Sequence, residues 1–244
     1  MLAVEATDSS WRGLYRIAAP ATLAMTVFFL FDTACWIVVG PYPPTAEGWY
    51  ALLAEDRVVG TLLLSFPTFF GIILYYLPFL ALFKVLKQVN AAYATLALLF
   101  GAVGLAVLLA TNMAYPIAVL GEQFAAATTA AQRTLLLAAG ETQMATAITG
   151  ANIGGFLVEG ALVVFSLLML RSTLFGRVTA YIGIVGHGLD LTRITMNLAF
   201  VPEEIGAVLL MIGGLPQLVW LVLVARKFMQ LGWPPDAVTG STGG

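Results

Sequence analysis

Six apolar blocks follow one another along this sequence, separated by short polar or proline-rich breaks. A hydrocarbon core about 30 Å thick is crossed by about 20 mostly apolar residues at 1.5 Å per residue, so each block predicts a spanning helix. The blocks fall at residues 17–40, 58–83, 91–120, 144–170, 178–200 and 205–225. Pro41, Pro43 and Pro44 stop the first. Pro67 and Pro78 lie inside the second, where they free backbone carbonyls for neighbouring helices to satisfy. Asn112 and Pro116 break the third near its end. The Ala- and Thr-rich stretch Gly121–Gln143 carries Glu122, Arg133 and Glu141, and is expected to be an external loop with helical character at the interface. Pro202 with Glu203 and Glu204 turns the chain before the last block. The pattern predicts an all-α polytopic membrane protein, a single-domain bundle of six transmembrane helices over residues 1–227, followed by a disordered tail over 228–244.

Composition supports a bilayer. Hydrophobic residues make up 60% of the chain and charged residues only 10%, with a mean hydropathy of +0.94. A soluble domain carries about 25% charged residues to keep its surface hydrated. The net charge of −2 excludes nucleic acid as a partner on electrostatic grounds and leaves the lipid bilayer as the principal one. The single cysteine, Cys35, excludes an internal disulfide and a CxxC zinc cluster. Arg12 and Arg16 ahead of an apolar run imitate a signal peptide, but the run outlasts the roughly 7–15 residues of such a core and reads as the first span. Trp36, Tyr42, Trp49, Tyr50 and Trp233 lie near span ends, where amphipathic rings anchor helices at the interface.

Basic residues then orient the bundle. In the six-span arrangement Arg12, Arg16, Lys84, Lys87, Arg171, Arg177, Arg226 and Lys227 lie on one side, and only Arg57 and Arg133 on the other. Lys and Arg are retained on the cytoplasmic side, so both termini are expected in the cytoplasm.

Polar residues inside the blocks are the candidate chemistry, because ionisable groups in hydrocarbon are costly and mark functional sites or partners. The fifth block contains His187, the only histidine, with Asp190 and Arg193. Counted from the basic anchors, Glu159 and Asp190 lie roughly 18–20 Å deep, and Asp32 and Arg193 about 24 Å. At 100° per residue His187, Asp190, Arg193 and Asn197 share one face of their helix. Asn152, Gly155 and Glu159 share another, with Ala147 and Ala151 leading into it as a small-residue contact. Asn112 and Gln217 are candidates for the same interior. Three carboxyls face one arginine and one imidazole, an acidic excess relieved by protons, water or a cation. That balance points to a small-solute or proton- or cation-linked carrier, or a ligand-binding bundle with a polar cavity toward the outer half of the membrane. The alternative is an accessory or assembly subunit whose polar cluster is structural, with a second copy or a membrane complex as partner. An enzyme is the less favoured reading, since no HExxH, GxSxG or P-loop pattern is present. No cofactor is expected, and no metal, His187 being the only candidate imidazole.

Short motifs carry a resemblance over residues 12–227. Arg16-Ile17-Ala18 at the entry to the first span, Lys84–Asn90, Arg171-Ser172 followed by Leu174 and Arg177, and the mid-helix Asp190 resemble a bacterial family known as domain of unknown function 4386. Phe175-Gly176 departs from the Leu-Pro that the family tends to show there. The resemblance implies a bacterial cytoplasmic membrane and no established activity, so no catalytic residue is transferred.

Overall fold

The computed structural model describes residues 9–40, 42–64, 66–199 and 203–234. Every element among them is a helix: α1 Ser9–Val39, α2 Ala46–Glu55, α3 Arg57–Leu63, α4 Phe66–Leu86, α5 Ala91–Ala110, α6 Ala114–Ala126, α7 Ala130–Met169, α8 Arg177–Leu198 and α9 Glu203–Gly232. Five segments among the described residues are long and apolar enough to cross a membrane: Ser10–Val39, Arg57–Leu86, Ala91–Ala126, Ala130–Met169 and Met211–Gly232. The chain is an all-α polytopic membrane protein. Helix α8 has comparable length but carries His187, Asp190 and Arg193, which dilute its hydropathy.

Six long helices close into a ring. α1 packs on α4, α4 on α5, α5 on α7, α7 on α8, α8 on α9, and α9 returns to α1. Each helix therefore lies beside the long helices that precede and follow it in the chain, as short connections require. The main core fills the ring with Tyr15, Phe79, Leu82, Leu162, Phe165, Trp220 and Phe228, all fully or almost fully buried. Closest approach is between α5 and α7. A Cβ on Gly104 would sit 2.7 Å from the Gly154 carbonyl oxygen, and one on Gly154 2.8 Å from that of Gly104. With no side chain on either helix at this level, the backbones meet directly, which is how lipid-embedded helices gain dispersion contact. The small-residue contact on α7 thus runs through Gly150 and Gly154 toward α5, whereas Ala151, expected to form it, is exposed.

The loops fold further than the sequence pattern predicts. Residues 121–143, expected as an external loop, divide between the end of α6 and the first turns of α7. Thr129 and Gln132 start α7 with a capping box, each side chain bonding the other residue's backbone N–H. At 40 residues, α7 is about 60 Å long, twice the hydrocarbon thickness. Its N-terminal turns are covered by α2 and α6 around a second core of Trp49, Tyr50, Leu63, Leu64, Ile117 and Met144. Glu141 accepts a hydrogen bond from the first backbone N–H of α2, at Ala46 (2.8 Å), and the Tyr50 hydroxyl donates to the Leu136 carbonyl (3.0 Å). Burial, and then the nearby Glu141 carboxylate, push the Tyr50 phenol above its ordinary range. Trp49 and Tyr50 are therefore the buried core of a cap, and only Tyr42 and Trp233 among the expected anchors are exposed; the Trp36 side chain lies outside the description.

Proline positions follow from the missing N–H. Pro67 and Pro116 each fall in the first turn of a new helix, α4 and α6, where no intrahelical donor is lost. Pro20, Pro78 and Pro216 lie inside helices. At the opposite end, residues 228–232, expected in the tail, continue α9, and Phe228 is fully buried against Tyr15. The Arg16 guanidinium donates to the Gly232 carbonyl (2.9 Å) and tethers α1 to α9. Residues 235–244 lie outside the described residues.

Gly104→Val is expected to separate α5 from α7 and to lower stability by about 1–3 kcal/mol. Thermal unfolding in detergent, followed by tryptophan fluorescence, checks it, and an unchanged melting temperature contradicts the direct backbone contact.

Candidate functional site

Three helices supply the centre of the polar cluster. Gly155 and Glu159 lie one turn apart on the α7 face that meets α8, where a Cβ on Gly155 would press on Ile194. His187 on α8 is 1% exposed, and its Nδ1 lies 2.8 Å from Glu159 Oε2. Gln217 on α9 donates from Nε2 to the same carboxylate oxygen and to the Gly186 carbonyl, both at 3.4 Å. Gln217 follows Pro216, and the bare Cα of Gly186 allows this part of α9 to approach. The Trp220 indole meets the imidazole edge-on, with ring centroids 4.6 Å apart. One carboxyl, one imidazole and one amide are thus held among α7, α8 and α9.

Asp190 and Arg193 form a pair on α8 itself. Arg193 Nε donates to Asp190 Oδ1 at 2.5 Å, across one helical turn. Both lie within electrostatic reach of Glu159, and Asp190 and Glu159 within that of Tyr75 on α4. Toward the C-terminal end of the same α8 face, Asn197 donates to Asn152 of α7 at 3.4 Å. The polar stripe predicted on α8 is therefore read by partners on α7 and α9 in succession.

Two predicted members stand apart. Asp32 accepts a hydrogen bond from Thr68 on α4, and among the described residues no bond joins it to Glu159, His187, Asp190 or Arg193. Its side chain turns to the α1–α4 seam. Asn112 accepts from the backbone N–H of Ala114 (2.9 Å) and caps the start of α6. No group of three or more His, Cys, Asp or Glu side chains able to hold a metal exists among the described residues.

Sequence reasoning missed Trp220, Ser166 and Tyr75. Trp220 follows Gln217 by one turn and Ser166 follows Glu159 by two, so helical spacing carries both onto the cluster's face. A tryptophan in mid-span, away from the interface that such rings favour, was the available signal.

The chain matches the model of a family described as Domain of unknown function (DUF4386) over residues 54–225. It belongs to that family. No curated protein and no solved structure matches it. The DUF4386 match takes in Glu159, His187, Asp190, Arg193 and Gln217 and leaves out α1 with Asp32. The compact cluster accordingly lies wholly within the DUF4386 domain.

A double-mutant cycle on Glu159→Gln and His187→Phe, read by thermal or denaturant unfolding, is expected to give a coupling near 0.6 kcal/mol and up to about 1.7, the range for interhelical bonds in membranes. Asp32→Asn paired with Glu159→Gln should be additive within about 0.5 kcal/mol. A coupling between Asp32 and Glu159 as large as the first would contradict the separation described.

Proposed function

We propose that this protein is a proton-linked carrier or binding bundle for a small solute or cation, with Glu159 and His187 as its proton-handling pair. The observation that supports the reading is the contact between Glu159 and His187, held by Gln217 in the ring interior. The charges of Asp190 and Arg193 answer each other, and Asp32 has its own partner on α4. What remains is a carboxyl bonded to an imidazole. Imidazole can carry a proton on either ring nitrogen or on both, so a change at this pair needs only one proton. Asp190, Arg193, Asn152 and Asn197 form the approach from the outer half. On this reading α8 is a sixth span, because polar residues are tolerated in a crossing helix when they face the bundle interior. The basic ends of the helices support an orientation with both termini in the cytoplasm of a bacterial cell.

The competing reading is an accessory or assembly subunit with a structural cluster. It is favoured by one observation: each bond of Glu159, His187, Gln217, Asn152 and Asn197 joins two different helices.

Reconstitution in liposomes loaded with a pH-sensitive dye separates the two. The carrier reading expects Glu159→Gln and His187→Gln to reduce solute-dependent proton flux at least tenfold, with Asp32→Asn retaining most of it. Wild-type protein that passes no protons with any tested solute, and whose cluster variants alter only melting temperature, favours the accessory reading.

A further inference from the structure

One turn of α8 inward from His187, the polar face ends at Gly183. A Cβ there would overlap both Ser166 Oγ of α7 and Trp220 Nε1 of α9. Ser166 is fully buried, and Trp220 and His187 are each 1% exposed. Ser166 Oγ, Trp220 Nε1 and His187 Nε2 have no hydrogen-bond partner among the described residues. Three such atoms on contiguous residues are exceptional. Buried polar side-chain atoms are nearly always bonded, and in hydrocarbon an unbonded one costs several kilocalories per mole.

Their chemistry defines what fits them. Trp220 Nε1 can only donate, and Ser166 can both donate and accept. In the tautomer that donates Nδ1–H to a Glu159 carboxylate, His187 Nε2 is an acceptor. The complement is a neutral molecule that donates and accepts at once. Ser166 Oγ and Trp220 Nε1 both lie within 2.4 Å of the point a Gly183 Cβ would occupy, close enough to each other for one molecule beside that filled point to reach both at about 2.8 Å.

We propose that Ser166, Trp220 and His187 Nε2 form an internal water site at the inner end of the polar face. It extends the path Asn197, Arg193, Asp190, His187 by one turn toward the basic side of the bundle. From Gly183 to Asn197 that face covers about 21 Å of α8, some two thirds of a hydrocarbon core. The site gives the proton-handling pair a second neighbour. A proton arriving on the water passes to Nε2 as the Nδ1 proton moves to the Glu159 carboxylate. The water is left neutral, the imidazole neutral in its other tautomer, and the carboxyl protonated. Asp190, Arg193 and Tyr75 are the other ionisable groups within reach of Glu159. This relay rests on the carrier reading above; the water site does not.

Because the chain has a single histidine, ring-15N-labelled histidine in the full-length protein, embedded in phosphatidylethanolamine–phosphatidylglycerol nanodiscs, reports on the site without ambiguity. The wild-type Nε2 resonance should be that of a nitrogen hydrogen-bonded to water, with magnetisation transfer from water protons. Ser166→Ala should shift it, leave Nδ1 bonded to Glu159, and lower the melting temperature by about 2–4 °C. Opposite signs overturn the proposal. If the atoms have no guest, removing an orphaned donor leaves Nε2 unchanged and holds or raises the melting temperature. A water signature in protein that carries no flux removes the carrier reading and leaves the site standing.

Discussion

Hydrocarbon offers no hydrogen bonds, and that single constraint organises the ring. A polar side chain on one long helix has to be answered from the next, because lipid cannot answer it. Glu159 of α7 is answered from α8 and α9, Asn197 of α8 from α7, and Asp32 of α1 from α4. The α7–α8 and α1–α4 seams join consecutive long helices, and the bond from Gln217 of α9 to Glu159 reaches past α8 to α7. Between α5 and α7, where no polar bond is available, the glycines at 104 and 154 provide closeness instead. Polar partnership and bare backbone are two solutions to the same shortage of driving force between apolar helices.

Much of this was legible in the residues. Run length is a one-dimensional property, so the apolar blocks foretell where α1, α4, α5, α7, α8 and α9 lie. Depth is one-dimensional too, and Glu159, His187 and Asp190 do share a level. What could not be read is the rotation of one helix against another. Asp32 turns toward Thr68 on α4, and only packing decides that. The cap was missed for a compositional reason. Residues 130–143 are Ala- and Thr-rich and too polar for a span, so they resemble a loop. Alanine is nonetheless the strongest helix former, and here tertiary contact with Trp49 and Tyr50 covers the face that propensity alone would leave bare.

The charge question raised by three acids and one arginine has a local answer. Arg193 takes the acid three residues before it on its own helix, which costs little conformational freedom. Asp190 is thereby removed from the balance, and the imidazole becomes the significant neighbour of Glu159. The cluster is smaller than its five candidate ionisable members implied, and it is simpler: an acid and a base in contact, closed in by an amide and an indole.

Helix α7 has a mechanical consequence. No break interrupts it between Gly140, beneath the Tyr50 ring, and Glu159, a lever arm of about 28 Å. Such a rod transmits rotation without relay. A tilt of about 5° at the cap displaces the far end by roughly 2.5 Å, nearly the length of a hydrogen bond. A tilt at the cap would therefore act directly on the contact between Glu159 and His187.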